Sequence, residues 1–93
     1  MSPQDFEAQL KAESFDSSVT VSKPAGYVMD EHLHPFEAWA LITEGDITLH
    51  MNGVSTTYPA GNMFRLPAST PHFESAISNG VTYLVGRKYP VAA

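Results

Sequence analysis

Asp30-Glu31-His32-Leu33-His34, read with Pro67-Ala68-Ser69-Thr70-Pro71-His72, decides the fold and points to the chemistry of this chain. Residues two apart on a β-strand face the same side, with Cα atoms roughly 6–7 Å apart. His32 and His34 can therefore reach one cation. The second stretch is a turn that delivers His72 directly into a following strand. A third imidazole brought in from a neighbouring strand would complete a facial set. The His-x-His pair alone is weak; the second segment is what gives it force.

Working outward, the texture from Ser18 onward is one of short β-branched and aromatic runs broken by Gly, Pro and Asn. Strands are expected near Val19–Lys23, Tyr27–His34, Ala38–Thr43, Ile47–Met51, Ser55–Tyr58, Met63–Leu66, His72–Ile77 and Val81–Arg87. Asn52-Gly53 and Asn79-Gly80 both read as tight hairpins, because the two central residues of a type I′ turn need positive φ. Pro24-Ala25-Gly26 and Pro59-Ala60-Gly61 mark further turns. Short strands at this spacing indicate an all-β, antiparallel sandwich or barrel. Ahead of them, Ser2-Pro3-Gln4-Asp5 reads as a helix start: a Ser cap, Pro in the first turn, then an acid. Phe6, Leu10 and Phe15 give that helix an apolar stripe. The expected organisation is a helical extension over 1–17 and a single β-barrel domain over 18–93.

Composition narrows the function. Ninety-three residues make one domain. A net charge of −5 with five scattered basic residues argues against nucleic-acid and anionic-membrane surfaces. Cysteine is absent, so a metal would be held by imidazole and oxygen. That donor set suits one divalent transition ion among Fe, Mn, Ni, Cu and Zn. No apolar run reaches membrane-spanning length, and the first twelve residues are too polar for a signal peptide. A cytoplasmic protein is expected.

These segments resemble the cupin superfamily. Its first motif is written G-x5-H-x-H-x3,4-E-x6-G; Gly26, His32, His34 and Gly45 take their places. Ala38 stands where the shorter spacing requires Glu, and Trp39 where the longer one does. The second motif is written G-x5-P-x-G-x2-H-x3-N; Gly61, Pro67 and His72 match, while Ser69 replaces Gly and Ala76 replaces Asn. The resemblance implies a jelly-roll-like β-barrel with His32, His34 and His72 projecting inward at one mouth. It also favours a homodimer. Three histidines without the motif acid are similar to the three-histidine iron sites of thiol dioxygenases.

With Ala38 in place of the acid, the fourth ligand is open. Glu74 lies two residues after His72 and shares its face. Glu37 would need a bulge near Pro35-Phe36 to turn inward. If the phase of His34 holds, Ala38 and Ala40 line the pocket, whereas Trp39 and Leu41 face out and need cover. Either the N-terminal helix or a second subunit could supply it. Arg65 is a candidate substrate anchor, since a guanidinium grips a carboxylate with a two-pronged fork; the plainer reading is an exposed arginine paired with an acid. Tyr83 could orient a ligand, and His50 lies outside both motifs as a surface or interface residue. Two functions are compatible with this pattern. One is a metal-dependent enzyme, dioxygenase- or isomerase-like, acting on a small organic molecule, with anions favoured because neutral imidazoles leave the metal charge uncompensated. The other is a non-catalytic metal- or small-ligand-binding or sensing module, whose histidines need hold no metal at all.

Overall fold

The computed structural model describes residues 1–90; the last three residues of the expected 18–93 domain lie outside them. Helix α1 (Pro3–Ala12) is followed by β1 (Val19–Lys23), β2 (Tyr27–His32), β3 (Glu37–Met51), β4 (Val54–Pro59), β5 (Met63–Leu66), β6 (His72–Ala76) and β7 (Val81–Lys88). All pairings are antiparallel. One sheet runs β1-β7-β3-β5 and the other β2-β6-β3-β4, so β3 belongs to both. Two expected strands are thus one strand of 15 residues. Its ladder with β7 is irregular between Ile42 and Glu44. Ala38, Ala40 and Ile42 face the core before that point, and Ile47 and Leu49 face it afterwards. The extra residue switches the inward phase from even to odd numbers, as a bulge does.

Gly45 sits at this crossing with φ +70°. A Cβ there would collide with the Gly80 carbonyl oxygen, a backbone atom that cannot swing away. Gly45→Ala is therefore expected to cost at least about 2 kcal/mol through clash and left-handed strain together. Urea unfolding checks this; an unchanged midpoint would show that the two sheets cross differently.

The turns follow sequence chemistry with one exception. Asn52 and Gly53 both have positive φ (51° and 75°) and close the β3–β4 hairpin as expected. The tight hairpin expected at Asn79-Gly80 does not form. Only Gly80 has positive φ there, and β6 and β7 lie in different sheets. The segment is a crossing between sheets. Asn79 bonds the Asp46 carboxylate at 3.1 Å, and Gly80 packs against the backbone of residues 23–25.

Inward residues of both sheets, among them Ile42, Ile47, Leu49, Phe64 and Val85, form the main core. A second cluster joins Phe6, Leu10 and Phe15 to Trp39 and Leu41 on the outer face of the first sheet. The helix begins as expected, the Asp5 amide donating to the Ser2 hydroxyl at 3.1 Å. After the helix, Ser14 turns through φ +64°, and the Phe15 amide donates to the Leu10 carbonyl. This reversal brings Phe15 back onto Trp39. The cover that Trp39 and Leu41 required is therefore the chain's own helix, and these residues give no support to a dimer.

Candidate metal centre

His32 and His72 are directly opposite each other on β2 and β6. Sequence alternation does not explain this alone. Tyr27 and Met29 face the inter-sheet cavity, and strict period two would continue to Glu31. Between the pairs Met29–Glu74 and His32–His72, β2 has one residue more than β6. That bulge re-phases the strand and turns His32 inward. It lies upstream of Pro35-Phe36, where a bulge would have been needed to rotate Glu37.

His72 arrives through the 67–71 turn, which is fixed to the first motif: the Ser69 amide donates to the His34 carbonyl at 2.8 Å. Ser69 has φ +60°. The position at which the second motif prefers Gly thus needs a left-handed backbone here too.

One ring nitrogen from each of His32, His34 and His72 lies within 4.8 Å of those of the other two. The His32 ring centroid is 4.2 Å from that of His72 and 4.9 Å from that of His34. His72 is 1% exposed; the other two are half-buried at the mouth. The Nδ1 of His32 is 2.8 Å from the Asp30 carbonyl oxygen, and that of His72 is 2.9 Å from the Thr70 carbonyl oxygen. A carbonyl only accepts, so both Nδ1 atoms carry the proton and both Nε2 atoms present lone pairs. Metal-binding histidines are held in this way, with the second nitrogen orienting the ring. The donor set fits a borderline divalent ion; bonds of about 2.0–2.2 Å require only that the three nitrogens draw closer. His34 stacks on Phe36 at 4.9 Å. Burial above all, then the neighbouring His32 and His72, hold its pKa below the ordinary histidine value. It is thereby kept in the neutral form that can ligate.

Glu74 shares the face of His72, its Oε2 3.7 Å from His72 Nε2. Its other oxygen accepts the Tyr27 hydroxyl at 2.6 Å. Burial and this carboxylate raise the Tyr27 pKa well above its usual value. The Tyr83 hydroxyl is pushed up to about 12, by burial first and Glu74 second. Both phenols are therefore donors at neutral pH, not bases.

The histidines open onto a cavity of about 230 Å³ between the sheets, lined by Ala38 but not by Ala40. Ala40 is fully buried in the core beyond it, which corrects the expected pocket wall. Glu37 is on the outer face, 3.2 Å from Arg65, and does not reach the histidines. Arg65 does not reach the cavity either. Its guanidinium lies 4.4 Å over Trp39 and pairs with Glu13 and Glu37 at 3.0 and 3.2 Å, closing the aromatic cluster under the helix. The arginine that does line the cavity is Arg87, which the sequence reading passed over. Tyr83, Val85 and Arg87 alternate along β7 and all face inward, a signal present in the sequence. His50 is on the outer face of the second sheet, bonded to the Ser55 hydroxyl.

A family profile described as the cupin domain matches residues 18–85. The chain belongs to the cupin family. Among solved structures it is similar to the conserved SPY1581 protein of unknown function from Streptococcus pyogenes, with a TM-score of 0.71 and 21% identity over 82% of this chain and 66% of that one. It is also similar to the DMSP lyase DddQ from Ruegeria pomeroyi DSS-3, with a TM-score of 0.71 and 23% identity over 83% of this chain and 40% of that one. For KdgF from Halomonas sp. the TM-score is 0.65 and the identity 18%, over 80% of this chain and 69% of that one. The chain spans less than two thirds of the length of the first two. No curated protein matches it. At these identities the likeness establishes the fold, and function has to come from the site. Among the described residues no helix is long and apolar enough to cross a membrane.

Proposed function

We propose that this cupin holds one divalent transition metal through His32, His34 and His72, and acts there on a small organic anion in a dioxygenase- or isomerase-like reaction. The observation that carries this is the convergence of three ring nitrogens within 4.8 Å, with two rings locked by carbonyls in the metal-binding tautomer. Glu74 is the candidate fourth ligand, because its Oε2 faces the histidines while Oε1 is held by Tyr27. The bound ion would supply Lewis acidity or redox capacity. The protein's own residues would position the substrate and exclude water. The same fold carries a lyase in DddQ. We also propose a cytoplasmic location.

A second reading, a metal- or ligand-binding module without turnover, is favoured by one observation. The cavity phenols are held protonated, and among the described residues Glu74 is the one carboxylate on the cavity wall, so as a metal ligand it would leave no free carboxylate there to act as general base. Elemental analysis of the purified protein, followed by oxygen-electrode assays against short hydroxy- and thiol-carboxylic acids, separates the two. Near-stoichiometric iron, manganese, nickel or copper with oxygen uptake supports the dioxygenase. A redox-inert ion without turnover supports the module, and no bound metal sinks both metal readings.

We also propose a homodimer, with the interface moved to the outer face of the second sheet. Val28, Phe73 and Ile77 form an apolar patch there and are 64%, 44% and 63% exposed. Solvent-facing strands rarely leave such a group uncovered. Sedimentation should show a dimer at high micromolar concentration, and Val28→Glu with Ile77→Glu should give a monomer of unchanged metal content. A monomeric parent protein would end this proposal.

A further inference from the structure

We propose that Arg87 is the anchor that selects a carboxylate ligand in the cavity beside the histidines; this rests on the site reading above and names its ligand class.

The Nε of Arg87 is buried and has no hydrogen-bond partner among the described residues. A guanidinium stays charged at any physiological pH. A charged donor buried without an acceptor costs more than the roughly 1–3 kcal/mol of a neutral one. Such an atom in a native fold calls for an explanation, a functional role or a bound water or ion among them. Its placement points the same way. Arg87 lies opposite Ala38 in the β3–β7 ladder and lines the cavity. Its guanidinium is 5.0 Å over Phe36, the ring on which His34 stacks at 4.9 Å. The arginine and a candidate metal ligand therefore flank one aromatic side chain. Arg65 shows the contrast: two carboxylates satisfy it outside the cavity.

Charge and shape define the ligand. Lys23 and Arg87 outnumber Glu74 as charged groups on the cavity wall, even before a metal adds its charge. The chain as a whole carries −5, so this local positive field opposes the overall sign. A guanidinium offers a planar fork that a carboxylate matches with two parallel hydrogen bonds. Phe64, Leu66 and Val85 make part of the wall apolar. A volume of 230 Å³ holds roughly seven or eight waters at ~30 Å³ each. The fitting ligand is a compact carboxylic acid of fewer than about ten heavy atoms, with an apolar middle and a second polar group for the histidine end.

The test uses succinate and its neutral, near-isosteric diamide, succinamide. Both are titrated by NMR into chelator-treated and metal-loaded full-length protein at pH 7.5. The parent protein should bind succinate at least tenfold more tightly than succinamide, even without metal. Arg87→Met should bring the two within about threefold in the metal-free protein. Arg87→Lys keeps the charge without the fork; it should lose at least threefold of the preference and serves if the methionine variant does not fold. Arg65→Met, outside the cavity, should keep the preference. An unchanged ratio in either Arg87 variant, equal binding of acid and amide by the parent, or collapse of the ratio in Arg65→Met overturns the proposal. Elemental analysis of the metal-loaded samples reports on the metal site separately, and the metal-free arm decides the role of Arg87 whether or not an ion binds.

Discussion

Replacing His72 with alanine is expected to abolish stable metal binding, lowering affinity by at least two orders of magnitude. Outer partners of metal ligands are typically worth 10–100-fold, and His72 is the buried apex of the set rather than an outer partner. His50→Ala should leave affinity within about twofold, because its ring is bonded to Ser55 on the other face of the second sheet. Thermal unfolding with and without a chelator gives an independent reading. A ligand at 100 times its Kd adds about 2.7 kcal/mol to folding stability. Chelation should therefore lower the melting temperature of the parent protein and leave that of His72→Ala where it was. Acidification should act in the same direction, since protons compete for imidazoles whose ordinary pKa is near 6.5, and affinity should fall below about pH 6. His34 titrates below that value, so it remains a ligand to lower pH than a free histidine would. In the metal-free protein, a histidine whose pKa is depressed on folding binds its proton more readily when unfolded, so its contribution declines as pH falls through about 6.5. Equal metal loss from His72→Ala and His50→Ala would show that the triad is misread.

How much of this site was legible in the residues depends on which interaction set each position. Two histidines two apart, and a Pro-flanked turn ahead of the third, are local patterns, and the structure brings those three rings together. Gly26 and Gly61 mark turns that need positive φ, and both have it. What alternation could not reveal is where its phase breaks. The extra residue in β2 before His32 and the irregularity after Ile42 in β3 are set by cross-strand register. Nothing in the local sequence announces that register. The guanidinium fork makes Arg65 a candidate anchor on sequence grounds, but cross-strand packing places it over Trp39, in the aromatic cluster under the helix. Arg87 closes the expected strand Val81–Arg87 in phase with Tyr83 and Val85, but alternation alone does not say which of its two faces is the inner one. Only the pairing of Arg87 with Ala38 shows that it shares the cavity face. Asn79-Gly80 failed for a related reason: a dipeptide can favour a turn without deciding which sheet the next strand joins.

Trp39→Ala is expected to be the most damaging substitution to the fold outside the site, costing about 3–5 kcal/mol, as large-to-small changes at buried aromatic positions do. A domain has about 5–15 kcal/mol of stability in all, so the loss takes a large fraction of the total. The structural reason is that one side chain joins three elements. Trp39 is 5% exposed on β3, and the rings of Phe6 and Phe15 meet it edge-on, each at 5.6 Å. Arg65 caps its face from β5, bound to Glu13 just after the helix. Removing the indole leaves Phe6 and Phe15 facing a void and Arg65 without the ring beneath it. On β7, Gly86 allows the helix to lie flat on the sheet; a Cβ there would meet Leu10 at 2.6 Å. Gly86→Ala should therefore lift the same helix from the opposite strand, with a smaller cost of about 1–3 kcal/mol. If the helix docks as one unit, Phe6→Ala added to Trp39→Ala should cost clearly less than the sum of the two single changes, since contacting residues couple by 0.5–3 kcal/mol. Urea denaturation of the single and double variants measures this, with metal content monitored in parallel. Strict additivity, or Trp39→Ala costing under 1 kcal/mol, would mean that the helix does not rest on Trp39 in solution. The inner face of β3 would then have to be stable without the cover that the outer face receives.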